Sequence, residues 1–235
     1  MITYSKLGLN GRLGNQLYQI ASTVGYALKY NQEYCFNWDY SEYFNITNTP
    51  NIETHTRIIE SNGLNYCELP KYENYMRNVD MHGYLQSHKY FDEYKKEIFS
   101  IFRVKDIIED CGFIHVRRGD YLHLPNHHPI VPLQYYLRGM DILGKSKYYC
   151  FSDDIKWCIE NIKDDRVVFV ENTTEIEDLM LMMSCNAAII ANSSFSWWGA
   201  YLGGHDNVIA PRKWFGDAYS GFVIEDRIPE RWLLC

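Results

Sequence analysis

The apolar positions change period twice along the first hundred residues. The opening ten residues read as a strand running into Gly8-Leu9-Asn10-Gly11-Arg12-Leu13-Gly14. Leu17, Ile20, Ala21, Val24 and Leu28 then recur at helical spacing and form one apolar stripe. Residues 31–80 lose that order. They are rich in Asn, Tyr and Thr, and their weak periodicity predicts short strands and loops. Helical spacing returns over 90–102 through Phe91, Tyr94, Lys95, Ile98 and Phe102.

The second half alternates regularly. Short apolar runs at 113–116, 147–151, 167–170, 187–191 and 207–210 read as strands. Between them, helical patterns cover 132–143, 155–162, 174–185 and 194–202. Pro132 suits a first helical turn, and Thr173 or Thr174 with the acids after it suits an N-terminus. Strands of this kind alternating with helices predict an α/β fold whose parallel sheet is covered on both faces. Ligands of such sheets bind outside the carboxyl ends of the strands, so the residues just after each strand carry the functional reading.

Composition narrows the class. At 235 residues the chain fits one large domain or two small ones. Hydrophobic residues at 46% rule out an extended disordered chain. There is no apolar run of membrane-spanning length. A net charge of -7 argues against general nucleic-acid binding, which rests on neutralising phosphates. The start of the chain lacks a signal-peptide pattern, and the seven cysteines contain no C-x-x-C pair. Buried free thiols in a reducing cytoplasm are therefore expected. The 16% aromatic content suits both a sugar-handling protein and a dense core.

Three segments follow predicted strands: Arg117-Arg118-Gly119-Asp120, Ser152-Asp153-Asp154 and Asn192-Ser193-Ser194-Phe195-Ser196. Together they suit a nucleoside diphosphate. Arginine forks bind phosphate oxygens bidentately, and a helix start presents free N–H groups. An Asp carboxylate accepts from guanine N1–H and N2–H₂ together. Taken singly, each segment has a plainer reading. The Arg-Arg-x-Asp turn fits a surface ion-pair cluster, the acid and Ser pairs fit helix caps, and Trp197-Trp198 fits packing on the sheet. Near the N-terminus, G-x-x-G-x-x-G departs from the dinucleotide fingerprint, so NAD is a poor second reading even with Asp39 downstream. Asn15 and Gln16 would offer amides at the helix start; a glycine-rich turn with an Asn cap is the alternative. His115, His123, His127 and His128 match no zinc spacing, and Pro125 and Pro129 interrupt them. Asp153-Asp154 could hold a divalent cation, but two arginines already supply phosphate counter-charge. No metal and no cofactor are expected.

These motifs carry a family resemblance. The runs are Gly11-Arg12-Leu13-Gly14-Asn15-Gln16-Leu17-Tyr18-Gln19, Tyr84-Leu85-Gln86-Ser87-His88-Lys89-Tyr90-Phe91, His115-Val116-Arg117-Arg118-Gly119-Asp120-Tyr121, Phe151-Ser152-Asp153-Asp154, and residues 192–202. With Ala210-Pro211-Arg212-Lys213-Trp214-Phe215 and Ile228-Pro229-Glu230-Arg231-Trp232, the sequence resembles the α-1,2-fucosyltransferases, glycosyltransferase family eleven. His-x-Arg-Arg-x-Asp is shared with α-1,6- and protein O-fucosyltransferases. The Ser-Phe-Ser-Trp-Trp-Gly-Ala-Tyr run favours α-1,2. Leu17-Tyr18 replaces the commoner Met-Phe, a packing difference.

The resemblance implies a GT-B architecture of two Rossmann-like domains facing a cleft. Residues 1–105 would form the acceptor side and 106–235 the GDP-fucose side, with the C-terminal tail able to pack back on the first domain. It implies metal-independent, inverting transfer of L-fucose from GDP-fucose to the 2-hydroxyl of a terminal β-galactoside. By position, Arg117 would bind the β-phosphate with support from Arg118. His115, Asp153 and Asp154 would meet ribose or guanine. Asn192 and Ser193 would lead into the backbone N–H groups of Ser194 and Phe195 at the diphosphate. Arg12, Gly14 and Asn15 would face the donor sugar and acceptor. Asp120 fits either a base or an orienting partner of the arginines, and Glu93 and a positioning Asn15 stand beside it as alternatives for acceptor activation. Fucosylation of another linkage, and non-catalytic binding of a GDP-sugar or glycan, are the rival readings. Tyr34, Phe36, Trp38, Tyr40, Tyr43 and Phe44 form either a small core or a sugar-stacking surface.

Overall fold

The computed structural model describes residues 1–102, 108–204 and 206–235. It divides into two units, Met1–Arg103 and Val104–Cys235. The expected boundary between residues 105 and 106 lies outside the described residues. Each unit is an α/β arrangement on a parallel sheet.

The first unit holds β1 (Ile2–Thr3), β2 (Thr56–Ile59) and β3 (Val79–His82), all parallel in the order β1-β3-β2. The helix α1 (Leu13–Lys29) is buried over most of its circumference, beyond the stripe read from the sequence. Its buried side-chain donors are paired accordingly, since a buried unpaired donor is costly. Trp38 donates its indole N–H to Gln16 at 2.7 Å, and Ser22 donates to the Leu85 carbonyl at 3.0 Å. Residues 31–80 contain mostly loops, as their weak periodicity predicts. Part of their aromatic cluster takes the core reading. Phe36, Trp38 and Phe44 are core, with Trp38 stacked on Phe44 at 5.1 Å, while Tyr43 is exposed. The predicted helix over 90–102 begins only at α2 (Lys95–Phe102). Before it come two short 3-10 turns, His88–Tyr90 and Asp92–Tyr94, separated at Phe91, whose φ of -142° and ψ of -1° are not helical.

The second unit follows the predicted alternation. β4 (Ile108–Val116), β5 (Lys147–Ser152), β6 (Val167–Phe169), β7 (Cys185–Ile189), β8 (Val208–Ala210) and β9 (Leu233–Leu234) form one parallel sheet in the order β6-β5-β4-β7-β8-β9. Helices α3 (Leu133–Leu143), α4 (Ile155–Asn161), α5 (Glu175–Ser184) and α6 (Ser194–Leu202) connect the strands up to β8. Thr174 caps α5 in a full capping box with Glu177. Trp197 and Trp198 are fully buried, and Trp197 stacks on Tyr201 at 4.6 Å. That is the packing role read for them. The tail adds β9 beside β8. Among the described residues, no helix is long and apolar enough to cross a membrane.

The strand order reverses at one place. From β4 the chain builds outward through β5 and β6, then returns to place β7 on the other side of β4. The carboxyl ends of β4 and β7 therefore flank a switch point, the position where open parallel sheets bind ligands.

Candidate functional site

Three of the predicted segments converge at that switch point. His115 pairs with Phe151 in register and Val116 with Ser152, so Arg117 emerges beside Asp153. Arg117 donates to Asp120 at 2.6 Å and pairs with Asp153 at 3.0 Å. Its guanidinium also lies 5.2 Å from the Tyr121 ring centroid. Arg118 donates its backbone N–H to Asp153 at 2.9 Å and its Nε–H to Asp154 at 3.1 Å. The guanidinium of Arg118 sits 4.0 Å over the Trp157 ring. Asp154 also caps α4 by accepting the Trp157 N–H, so one helix start fixes both partners of Arg118.

Each of the two acids after β5 therefore holds an arginine. The ion pairing of the plainer reading is what is observed here. The acids fix the arginines before any ligand arrives, and a guanidinium carries more donors than these contacts use. Gly119 belongs to the same device. A Cβ at this position would overlap the Asp153 carboxylate.

His115 is buried on β4, and its ring meets Phe195 edge-on at 5.8 Å. Burial, and then the charge of Arg117, push the imidazole down to about 3, so it is neutral in the folded protein. Its Nδ1 is buried without a hydrogen-bond partner. On the β7 side, Asn192 donates to the carbonyls of Pro129 and Trp214 at 3.1 and 3.0 Å, and its Oδ1 is buried without a partner. Tyr121 donates to the Asn192 carbonyl at 3.0 Å, tying the loop after β4 to the loop after β7. Ser193 caps α6 and accepts the Phe195 N–H at a long 3.4 Å. Thus His115, Arg117, Arg118, Asp120, Asp153, Asp154, Asn192, Ser193, Ser194 and Phe195 lie in one unit along one sheet edge.

Arg12, Gly14 and Asn15 lie in the first unit, where they start α1. Arg12 is the exposed N-cap residue and Gly14 is buried. Asn15 accepts from the Gln86 amide at 2.6 Å, joining two of the sequence motifs. Gly11, at φ +104°, leaves no room for a Cβ against the Asn15 side chain. Glu93 lies in the Asp92–Tyr94 turn. Among the described residues there is no grouping of three or more His, Cys, Asp or Glu able to hold a metal ion.

The sequence reading did not single out Gly119, Tyr121 or Trp157. Trp157 had a legible signal, because it stands three residues after Asp154 on the helix that Asp154 caps. Tyr121 and Gly119 carried none beyond their place in the motif.

Comparison with known proteins bears on the same segments. The family model described as glycosyl transferase family 11 matches residues 109–233. The chain is 33% identical over 183 residues to an alpha-1,2-colitosyltransferase of Escherichia coli, covering 66% of this chain and 62% of that protein. It is 39% identical over 107 residues to galactoside alpha-(1,2)-fucosyltransferase 1 of Mus musculus, 40% of this chain and 28% of that protein. The chain thus spans less than two thirds of the length of the curated relatives it matches. Among solved structures, POFUT1 in complex with GDP-fucose aligns with a TM-score of 0.52 at 12% identity, over 87% of this chain and 94% of that one. That likeness is one of fold.

Proposed function

The chain belongs to glycosyl transferase family 11, and from that premise we propose that it transfers L-fucose from GDP-fucose to the 2-hydroxyl of a terminal β-galactoside, with inversion. The observation that carries the reading is the prearranged Arg117. It is held by Asp120 and Asp153 at the switch point, beside the Ser193-capped start of α6. The names of the colitosyl- and fucosyltransferase relatives support the α-1,2 linkage.

The hard step is departure of GDP as the bond from the sugar anomeric carbon to the β-phosphate oxygen breaks. Negative charge grows on that phosphate, and a fixed guanidinium with helix-start N–H groups stabilises it without reorganising. Arg117 is the phosphate donor in this reading. Arg118, flat on Trp157, shapes the loop. Asp120 and Asp153 aim Arg117, while neutral His115 lies beneath the site with Phe195. The arginines supply the counter-charge, so the proposal includes transfer without a metal ion. A cytoplasmic location is part of the same proposal, supported by cysteines that are all free.

A second reading keeps the linkage and changes the sugar. The relative named an alpha-1,2-colitosyltransferase favours a colitosyl donor. A transfer assay tests both readings: the protein with lactose and EDTA, offered GDP-fucose alone or beside GDP-colitose. Fucosylated lactose formed in EDTA supports the proposal. Transfer of colitose alone favours the second reading. GDP-fucose hydrolysis without transfer, or dependence on added divalent metal, contradicts the proposed reaction.

A further inference from the structure

We infer that His128 is a positioning residue for Arg117 and acts through the ring of Tyr121; this rests on the transfer reading above and adds a group that charge pairing alone does not reveal. A guanidinium is a flat fork, so aiming it takes restraints on its edge and on its face. The acids supply the edge. Arg117 meets Asp120 through Nη2 at 2.6 Å and Asp153 through Nη1 at 3.0 Å. The face is covered by Tyr121, whose ring centroid lies 5.2 Å from the guanidinium carbon.

A ring holds a guanidinium in place only if the ring is itself held. The Tyr121 hydroxyl is tied to the Asn192 carbonyl at 3.0 Å. Its ring stacks on His128, with centroids 4.5 Å apart and planes at 15°. Arg117, Tyr121 and His128 are therefore consecutive members of one chain of contacts. Both His127 and His128 donate their backbone N–H to the Leu124 carbonyl at 2.9 Å, which folds this segment into a turn.

The segment after β8 buttresses that turn. Gly216 donates its N–H to the His127 carbonyl at 2.9 Å, and Ala218 donates to the Asn126 carbonyl at 2.8 Å. The approach is close enough that a Cβ on Gly216 would overlap the Asn126 backbone. The Tyr219 ring meets His127 at 5.0 Å and His128 at 5.8 Å, edge-on to both. Burial holds the His128 imidazole below its ordinary value; Asp120 pulls it upward, while His127 and Arg117 add to the lowering. A neutral imidazole puts no second cation beside the Tyr121 ring that Arg117 uses. All of these groups belong to the second unit, so the inference needs no residue of the first.

The test is calorimetric titration of wild type, His128→Ala and His128→Phe with GDP and with GMP, beside melting curves and transfer from GDP-fucose to lactose. GMP lacks the β-phosphate that Arg117 meets in this reading. His128→Ala is expected to weaken GDP about fivefold, to leave GMP within about twofold, and to lower kcat about fivefold or more. His128→Phe, which keeps a flat ring against Tyr121, recovers most of both losses. Adding His128→Ala to Tyr121→Leu costs less than about twofold further in GDP affinity, because the link is already cut. A His128→Ala protein that loses GDP and GMP affinity equally overturns the positioning role. So does one with unchanged GDP affinity, whether at full stoichiometry or with fewer folded sites. A wild-type protein that binds no GDP and transfers nothing overturns the underlying reaction as well.

Discussion

Arg117 and Asp153 form an ion pair of 3.0 Å between residues that follow adjacent parallel strands. The same carboxylate takes the backbone N–H of Arg118, so one acid sets both the guanidinium and the loop that carries it. In the proposed reaction the donor site is thereby formed in advance, and its members have distinct, separable effects.

In the proposed reaction, Arg117→Ala removes the charge that meets the departing phosphate. Turnover is expected to fall roughly a hundred- to thousand-fold. Arg117→Lys restores little, because a lysine ammonium cannot span Asp120 and Asp153 and still present a fork. Initial-rate transfer assays with each variant measure this, and near-wild-type turnover in Arg117→Ala contradicts it.

Gly119→Ala places a Cβ against the Asp153 carboxylate. The acid must swing away, and Arg117 loses one of its two anchors. Weaker GDP binding is expected, with thermal stability changed far less than affinity. Calorimetric titration with GDP beside a melting curve separates the two.

Asp120→Asn keeps the shape of the contact at 2.6 Å but removes its charge. In the proposed reaction Asp120 acts through Arg117, as its orienting partner. Turnover is expected to drop while the acid limb of the pH–rate profile stays where it is. A limb that vanishes in Asp120→Asn would instead make Asp120 the base.

His115 links folding to pH. An unfolded histidine takes a proton near 6.5, whereas burial and then Arg117 hold the folded group down to about 3. Between those values the unfolded chain binds more protons, so stability is lost as pH falls from 6.5 toward 3. The loss is about 2 kcal/mol by pH 5. His115→Gln is expected to give a flatter curve of Tm against pH between 7 and 5 than wild type. Parallel curves contradict the buried neutral imidazole.

The second unit was the more legible half, and the reason lies in its strands. Helix α6 falls where the sequence placed it, because Ser193 supplies a cap and the apolar run stops at paired glycines. β7 falls two residues earlier than 187–191. No turn residue separates Ser184 of α5 from Cys185 of β7, and Ile190 and Ala191 stay buried after the strand ends. β4 starts five residues before 113, through a register shift between Ile108 and Gly112 that Asp110 accommodates at φ +54°. β9 is two leucines, too short to show a period. In the first unit, Phe36, Trp38 and Phe44 build a core from aromatic stacking, which leaves no period to read. The segments of the candidate site are legible because each follows a strand. The pairing of both Asp153 and Asp154 with arginines is not, because strand register decides it.

The linkage of the product tests the central claim most directly. The trisaccharide made from GDP-fucose and lactose is isolated, and its inter-residue correlations are read by NMR. The account predicts an α-configured fucose anomeric proton correlated with C2 of galactose. A correlation to any other galactose or glucose carbon, or a β-configured fucose, would contradict it.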